Sequence, residues 1–484
     1  MSDTKLKEKT IKGFQWSFVD NIGRLGGQFV IGIILARLLS PSDFGLVGMI
    51  TLFIVLGESL INSGFGQALI QKKDADNTDF STVFYFNIFA SVVIYLIIFF
   101  SAPLIAKFYN EPQLVLITKV ICISFVINAF GLVQTDYFVK KLDFKTPALI
   151  GIISVVISGT VSIIMAFRGF GVWALVLNTV LRSFIATILY WKLSYWKPVL
   201  IFSMNSLRSL FSYGSKILIA GLIESFFGNI YYIIIGRFFS AQSLGYYTRA
   251  VSFKELPVNT VISLVQNVTY SVFSSIQDDN SKLISGYTKL VRSLLAVVFP
   301  LLVFVYITST PLINIVLGAK WLPVVPFLKL MVLYGWISVV QTFNNQIVSI
   351  KGRSDYYLYI KIIDKVLVVV SIFVTYKYGI MAMIYGHLFA TLLSYVVGNY
   401  YLNKIIEIPT IYQIKNIIPF FISAVAMLFS NWPVSVYITN EYLFLILSVL
   451  ISTSVYIFSL WLLRVEELKI GIDWVKQFLA NRNL

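Results

Sequence analysis

Apolar runs, each about the 20 helical residues needed to cross a hydrocarbon core roughly 30 Å thick, recur from near residue 14 to near residue 463. Short polar gaps separate them. The pattern predicts spans near 14–38, 44–69, 80–106, 114–136, 147–167 and 170–192. A second series follows near 209–238, 245–275, 286–308, 322–347, 357–377 and 379–403, and a last pair near 413–431 and 440–463. The expected fold class is therefore all-α: a polytopic membrane protein with about fourteen transmembrane helices.

The gaps alternate in charge. Every second one is basic, with Lys5, Lys7, Lys9 and Lys12, then Lys72 and Lys73, then Lys140, Lys141 and Lys145. The same continues with Lys192, Lys197 and Arg208, Lys282 and Lys289, Lys351 and Arg353, and Lys404 and Lys415. The intervening gaps hold about one cation each, among them Arg37, Lys107, Arg168, Lys320 and Lys377. Short cytoplasmic loops carry the Lys and Arg excess, so both termini are expected on the cytoplasmic side. Composition agrees: 58% of the 484 residues are hydrophobic and 12% charged, and the net charge of +16 follows from the loop bias and headgroup contact. Nucleic acid is not needed to explain it. The opening "MSDTKLKEKTIKG" offers no small-residue cleavage site, and Cys122, the single cysteine, excludes intramolecular disulfides and cysteine metal sites.

The chain also repeats itself. "LARLLSPSDFG" at 35–45 returns as "IGRFFSAQSLG" at 235–245, placing Arg37, Ser40 and Gly45 opposite Arg237, Ser240 and Gly245 at an offset of 200. "SAPLI" at 101–105 returns as "STPLI" at 309–313, Lys119 as Lys329, and "GVWAL" from Gly171 as "GIMAM" from Gly379. Each copy holds six spans. An even number makes the repeats parallel, related by an axis along the membrane normal. The expected domains are an N-terminal six-helix lobe, 1–205, a second six-helix lobe, 206–410, and an additional helix pair with a cytoplasmic tail, 411–484.

Polar residues inside the spans mark what lies between such lobes, because an ionisable side chain near the bilayer centre costs about 2.5–3.5 kcal/mol on insertion scales. Asp20, Arg24 and Gln28 step by four along the first span; Lys216, Ala220, Glu224 and Gly228 do so along the seventh. At the 200 offset, Arg24 corresponds to Glu224, on walls expected to face each other. Ser59, Ser63 and Gln67 match Asn259, Ser263 and Asn267 in the same way. Asp20 and Arg24 are spaced to neutralise each other, and the hydroxyl and amide stripes also suit interhelical hydrogen bonding. Glu58, with Asn62 one turn on, is either a core hydrogen-bonding residue or a coupling-ion site. Arg182, Arg249, Arg292, Lys361 and Lys365 read as headgroup contacts near helix ends, and the lone His387 as a core residue. Arg24, Lys216 and Arg249, with Gln28, are the substrate-binding candidates; Asp20, Glu58 and Glu224 are the candidates for ion coupling. Arginine and lysine along a path suit an anionic, phosphate-bearing substrate. The 28 tyrosines and nine tryptophans offer surfaces for sugar rings, although interfacial belts use many of them.

The stretch "KGFQWSFVDNIGRLGGQFVIGIILARLLSPSDFGLVGM", 12–49, with "LDFK" at 142–145 and "SLGYYTRA" at 243–250, resembles the polysaccharide-export flippases of the multidrug and oligosaccharidyl-lipid exporter superfamily, especially the colanic-acid type. That resemblance implies two six-helix lobes with alternating access, moving undecaprenyl-pyrophosphate-linked oligosaccharide across the bacterial cytoplasmic membrane. It also implies a polysaccharide polymerase as partner protein, and an arginine of the first span lining a cationic cavity, which Arg24 matches. Glu224 departs from a uniformly basic cavity. No cofactor or metal is called for, and no GxxxxGK[ST] loop is present, so protons, sodium or the membrane potential are the expected energy sources. A cation-coupled drug exporter of the same superfamily, or a membrane-embedded polymerase or ligase, is the alternative. The short outward loops count against the latter.

Overall fold

The computed structural model describes residues 3–62, 64–469 and 473. Ser63 and the rest of the tail beyond Lys469 lie outside these, as does the side chain of Asn267. The chain divides into two compact units at Thr248 and Arg249.

The first unit contains α1 (Asp3–Leu38), α2 (Pro41–Asn62), α3 (Phe65–Gln71), α4 (Asn77–Tyr109), α5 (Leu114–Ile121), α6 (Ile123–Lys140), α7 (Lys145–Phe167), α8 (Val172–Leu193), α9 (Met204–Gly228) and α10 (Ile230–Phe238). It also holds the start of α11 (Ala241–Ser275). The second unit continues α11 and adds α12 (Asn280–Leu317), α13 (Val324–Ile350), α14 (Ser354–Thr375), α15 (Ile380–Ile406), α16 (Thr410–Tyr437) and α17 (Glu441–Leu462). Among the described residues, eleven helical segments are long and apolar enough to cross a membrane, which makes this a multi-pass membrane protein. The other three expected spans fall on α1, α11 and α14, long helices that are not among the eleven. Each carries charged or amide side chains that lower its apolarity, and these residues recur in the cavities below.

Within the first unit, α2 runs antiparallel to α9 and α10. Gly64 lies beside Gly214, Ser59 hydrogen-bonds Ser225 at 3.0 Å, and Gly236 lies beside Met49. The first helices of the two repeats therefore run in the same sense, as parallel repeats require. The repeated segments themselves meet at the start of α2 and α11. A Cβ on Gly45 would overlap the Ala241 carbonyl, and a Cβ on Gly245 would overlap the Pro41 carbonyl. Pro41 and Ala241, like the two glycines, are 200 residues apart, so the contact is nearly self-reciprocal. Only residues without a side chain let two backbones approach this closely.

The far end of this bundle is held by polar links. Lys72 bridges the buried Asp79 at 2.6 Å, and Asp79 accepts from Ser206 ahead of the α9 bundle contact. Lys140 donates to the Leu69 carbonyl at 2.8 Å and the Lys72 carbonyl at 2.5 Å, closing the end of α3. Phe65, Phe80, Phe84 and Trp196 fill the core beneath.

In the second unit, α12 packs along α13, α16 and α17. Arg292 of α12 makes a bidentate pair with Glu467 at 2.5 and 2.8 Å and donates to Asn416 of α16 at 3.1 Å. Its expected role as a headgroup contact is thus replaced by a link between α12, α16 and the segment after α17. Tyr287 donates to Asn344, whose amide donates to Asn399 at 2.7 Å, fixing α13 against α12 and α15.

Candidate functional site

A cavity of about 550 Å³ opens among α1, α6, α7 and α8 of the first unit. The α1 stripe read from the sequence faces it: Asp20, Arg24 and Gln28 all line its wall. Asp20 and Arg24 lie 3.7 Å apart, with side chains 30% and 42% exposed, so the pair is loose and the guanidinium keeps free surface toward the cavity. The helix opposite leaves room for it. Gly151 of α7 also lines the cavity, and a Cβ there would sit 3.2 Å from the Asp20 carboxylate and 3.5 Å from Arg24 Cδ.

The second cation is Arg182, at the middle of α8. Sequence reasoning assigned it to the headgroups, whereas the structure turns it into the same cavity as Arg24. Its central place in an apolar span is the signal that could have found it, because a mid-span arginine must face protein or water. α8 is seated on α6 by Thr187 Oγ1, which donates to the Ile127 carbonyl at 2.9 Å, and by Trp191 Nε1, which donates to the Phe130 carbonyl at 2.8 Å.

A smaller cavity of about 230 Å³ adjoins the first and shares Asn128, Thr135 and Tyr190 with it. Glu58 and Asn62 of α2 line it, and Glu58 is within coulombic range of Arg182. The two hollows bring together two guanidinium groups, two carboxylates and several neutral hydrogen-bonding groups. The arrangement has the chemistry for partner exchange, in which a phosphate oxygen takes the place of a carboxylate on an arginine.

The remaining candidates lie elsewhere. Lys216 and Glu224 are exposed on α9, and Arg249 is half-buried on α11; none lines the cavities described here. Among the described residues, no group of three or more His, Cys, Asp and Glu is placed to hold a metal ion.

The second unit has its own cavity, of about 480 Å³, among α11, α13 and α14. Asn259, Gln266, Asn345 and Gln346 line it with Tyr270 and Tyr357. Lys361, another residue expected at the headgroups, is the only formal charge among its described lining residues, with Nζ 5.7 Å from the Tyr357 ring.

Comparison with known proteins places this architecture. Lipid II flippase MurJ, in its inward closed conformation, superposes with a TM-score of 0.75 at 16% identity over 92% of this chain and 97% of its own. An inward-facing multidrug resistance MATE family transporter of the MOP superfamily gives 0.63 at 14% identity over 80% and 94%. The chain thus shares its fold with these two proteins. The family described as polysaccharide biosynthesis protein matches residues 34–326, and the chain belongs to it, as the resemblance at 12–49 implied. Among curated proteins, the teichuronic acid biosynthesis protein TuaB of Bacillus subtilis (strain 168) is 28% identical over 87% of this chain and 88% of its own. The lipopolysaccharide biosynthesis protein WzxC of Escherichia coli (strain K12) is 25% identical over 72% of each.

Proposed function

We propose that this protein is a flippase, not an enzyme, carrying undecaprenyl-pyrophosphate-linked oligosaccharide repeat units across the bacterial cytoplasmic membrane by alternating access, for surface polysaccharide synthesis. The observation that carries this reading is the pairing of Arg24 and Arg182 in one cavity inside an apolar helical bundle. Two guanidinium groups at membrane depth are costly unless they pair or face a wet cavity, and such residues mark anion paths; the pyrophosphate of a lipid carrier is an anion with several oxygens to share. The names of TuaB, WzxC and MurJ support the same class of cargo.

In this mechanism the pyrophosphate displaces Asp20 from Arg24 and Glu58 from the field of Arg182. The released carboxylates then take up a proton or sodium ion, which couples the step to a gradient. The sugars stay in the wet interior and the polyprenyl tail in lipid, while lobes 1–205 and 206–410 alternate in access and 411–484 stands beside them. Both termini are cytoplasmic in this arrangement. Gln28, on the same wall as Arg24, would contact the pyrophosphate with it; Lys216 and Arg249 would contact the cargo at other stages, and Glu224 is a further acidic coupling candidate.

The test is the pool of lipid-linked oligosaccharide in cells lacking the protein. Complete, unpolymerised repeat units should accumulate and surface polymer should fall, and an intact copy should reverse both. An unchanged pool with normal surface polymer would overturn the reading and favour drug export through the acidic groups.

A further inference from the structure

We infer that the α11/α13/α14 cavity of the second unit is a binding site for a neutral pyranose of the cargo's oligosaccharide. This inference rests on the flippase reading for the identity of the cargo. The chemistry of the wall points to sugar. A carboxamide presents a donor and an acceptor side by side, which is what a pair of adjacent sugar hydroxyls presents in return. Asn259, Gln266, Asn345 and Gln346 supply four carboxamides in one hollow, and Tyr270 and Tyr357 supply partly exposed rings with apolar faces for the C–H face of a pyranose. At about 480 Å³ the space falls within the roughly 300–1,000 Å³ of small-molecule sites.

A second observation points to a ligand independently. Gln346 is 7% exposed, and its Nε2 donates to the Gln266 carbonyl at 2.9 Å, which fixes the amide in place. Its Oε1 is buried with no hydrogen-bond partner. Buried polar atoms are paired in the great majority of cases, and this acceptor, on a residue that lines the hollow, is left without a partner by the protein itself. The wall is also rigid: on the other side of α13, Asn344 is locked between Tyr287 and Asn399.

The experiment measures binding of the host's repeat-unit oligosaccharide, cut from its lipid carrier by mild acid, to the full-length protein in nanodiscs, with inorganic pyrophosphate as a separate probe. The intact protein should bind the oligosaccharide. The Asn345→Leu/Gln346→Leu double variant should bind it at least about tenfold more weakly, the equivalent of one or two hydrogen bonds, while still binding pyrophosphate. Asn259→Leu, at an exposed position on α11, provides the same reading without burying anything new and should weaken the sugar alone. Unchanged sugar binding in both variants, or none by the intact protein, would overturn the inference. The cellular lipid pool reports on the flippase reading separately, since it can accumulate whether or not this hollow takes a sugar.

Discussion

Each unit carries a cavity against the same helix of the repeat, α6 in the first and α13 in the second, and the two differ in chemistry. At the offset of 210 that relates Lys119 to Lys329, α6 and α13 end together, at Lys140 and Ile350. Thr135 and Val139, which line the first cavity, then correspond to Asn345 and Ser349, which line the second. Yet the first wall holds Arg24, Arg182 and Asp20, and the second is nearly all neutral. The backbone contact of the repeat kept its symmetry, with Gly45 and Gly245 meeting reciprocal carbonyls, while the cavities diverged. A duplicated scaffold needs matched packing to close on itself. A cargo with a charged end and a neutral end instead rewards unlike walls.

The largest effect should come from removing the charges that set the cavities apart. Arg24→Gln and Arg182→Gln should each reduce transport about tenfold or more, and the double variant should abolish complementation, since each deletes charge-assisted hydrogen bonds worth about 1.5–3 kcal/mol. Arg182→Lys should restore less than half of the loss, because a point charge cannot fork onto two oxygens. Polymer export at normal protein level in the double variant would remove the first cavity from the mechanism.

Next in size are the glycines of the reciprocal contact. Gly45→Leu and Gly245→Leu both drive a side chain into a backbone carbonyl, at a cost of about 1–3 kcal/mol in packing strain. Their thermal stabilities should fall by similar amounts, since the contact is nearly symmetric. A large fall for one and none for the other would break the equivalence that makes the cavity comparison meaningful.

The sequence made one wall of the comparison legible and hid the other. Asp20, Arg24 and Gln28 stand out in the span 14–38 because polar side chains of this kind are rare there and these recur every four residues, so their common face could be read directly. In α13 the polar residues run together as "QTFNNQ", 341–346, and a contiguous run has no face. Only packing divides it, sending Asn344 into the core with Tyr287 and Asn399 and Asn345 into the cavity. Arg182 was misplaced in depth, since it stands at the middle of α8 and not near its end, whereas Lys361 was misplaced in rotation about α14, which hydropathy does not report. The α2–α9 pairing was likewise invisible, because Ser59 and Ser225 are joined by no local pattern.

A smaller effect sharpens the contrast from the neutral side. Asn345→Asp keeps the shape of the side chain but removes its donors and adds a charge of the kind the first cavity carries. Binding of the free oligosaccharide should weaken about three- to tenfold, the loss of one hydrogen bond with some desolvation cost, while pyrophosphate binding stays as it was. An increase in sugar affinity would mean that Asn345 donates nothing to the cargo.

The smallest expected effect is no effect, and it is the most discriminating. Salt screens interactions between charges but leaves hydrogen bonds between neutral groups almost untouched, the Debye length shrinking from about 10 Å at 0.1 M to about 3 Å at 1 M. Pyrophosphate affinity should therefore fall steadily as sodium chloride is raised over that range, because Arg24 is 42% exposed to the medium of the cavity. Affinity for an oligosaccharide built of neutral sugars should stay flat. A matching fall in both would implicate Lys361, the one charge among the described residues of the second wall, and the two cavities would then be two anion sites of different strength, with the division of labour between charged and neutral ends of the cargo lost.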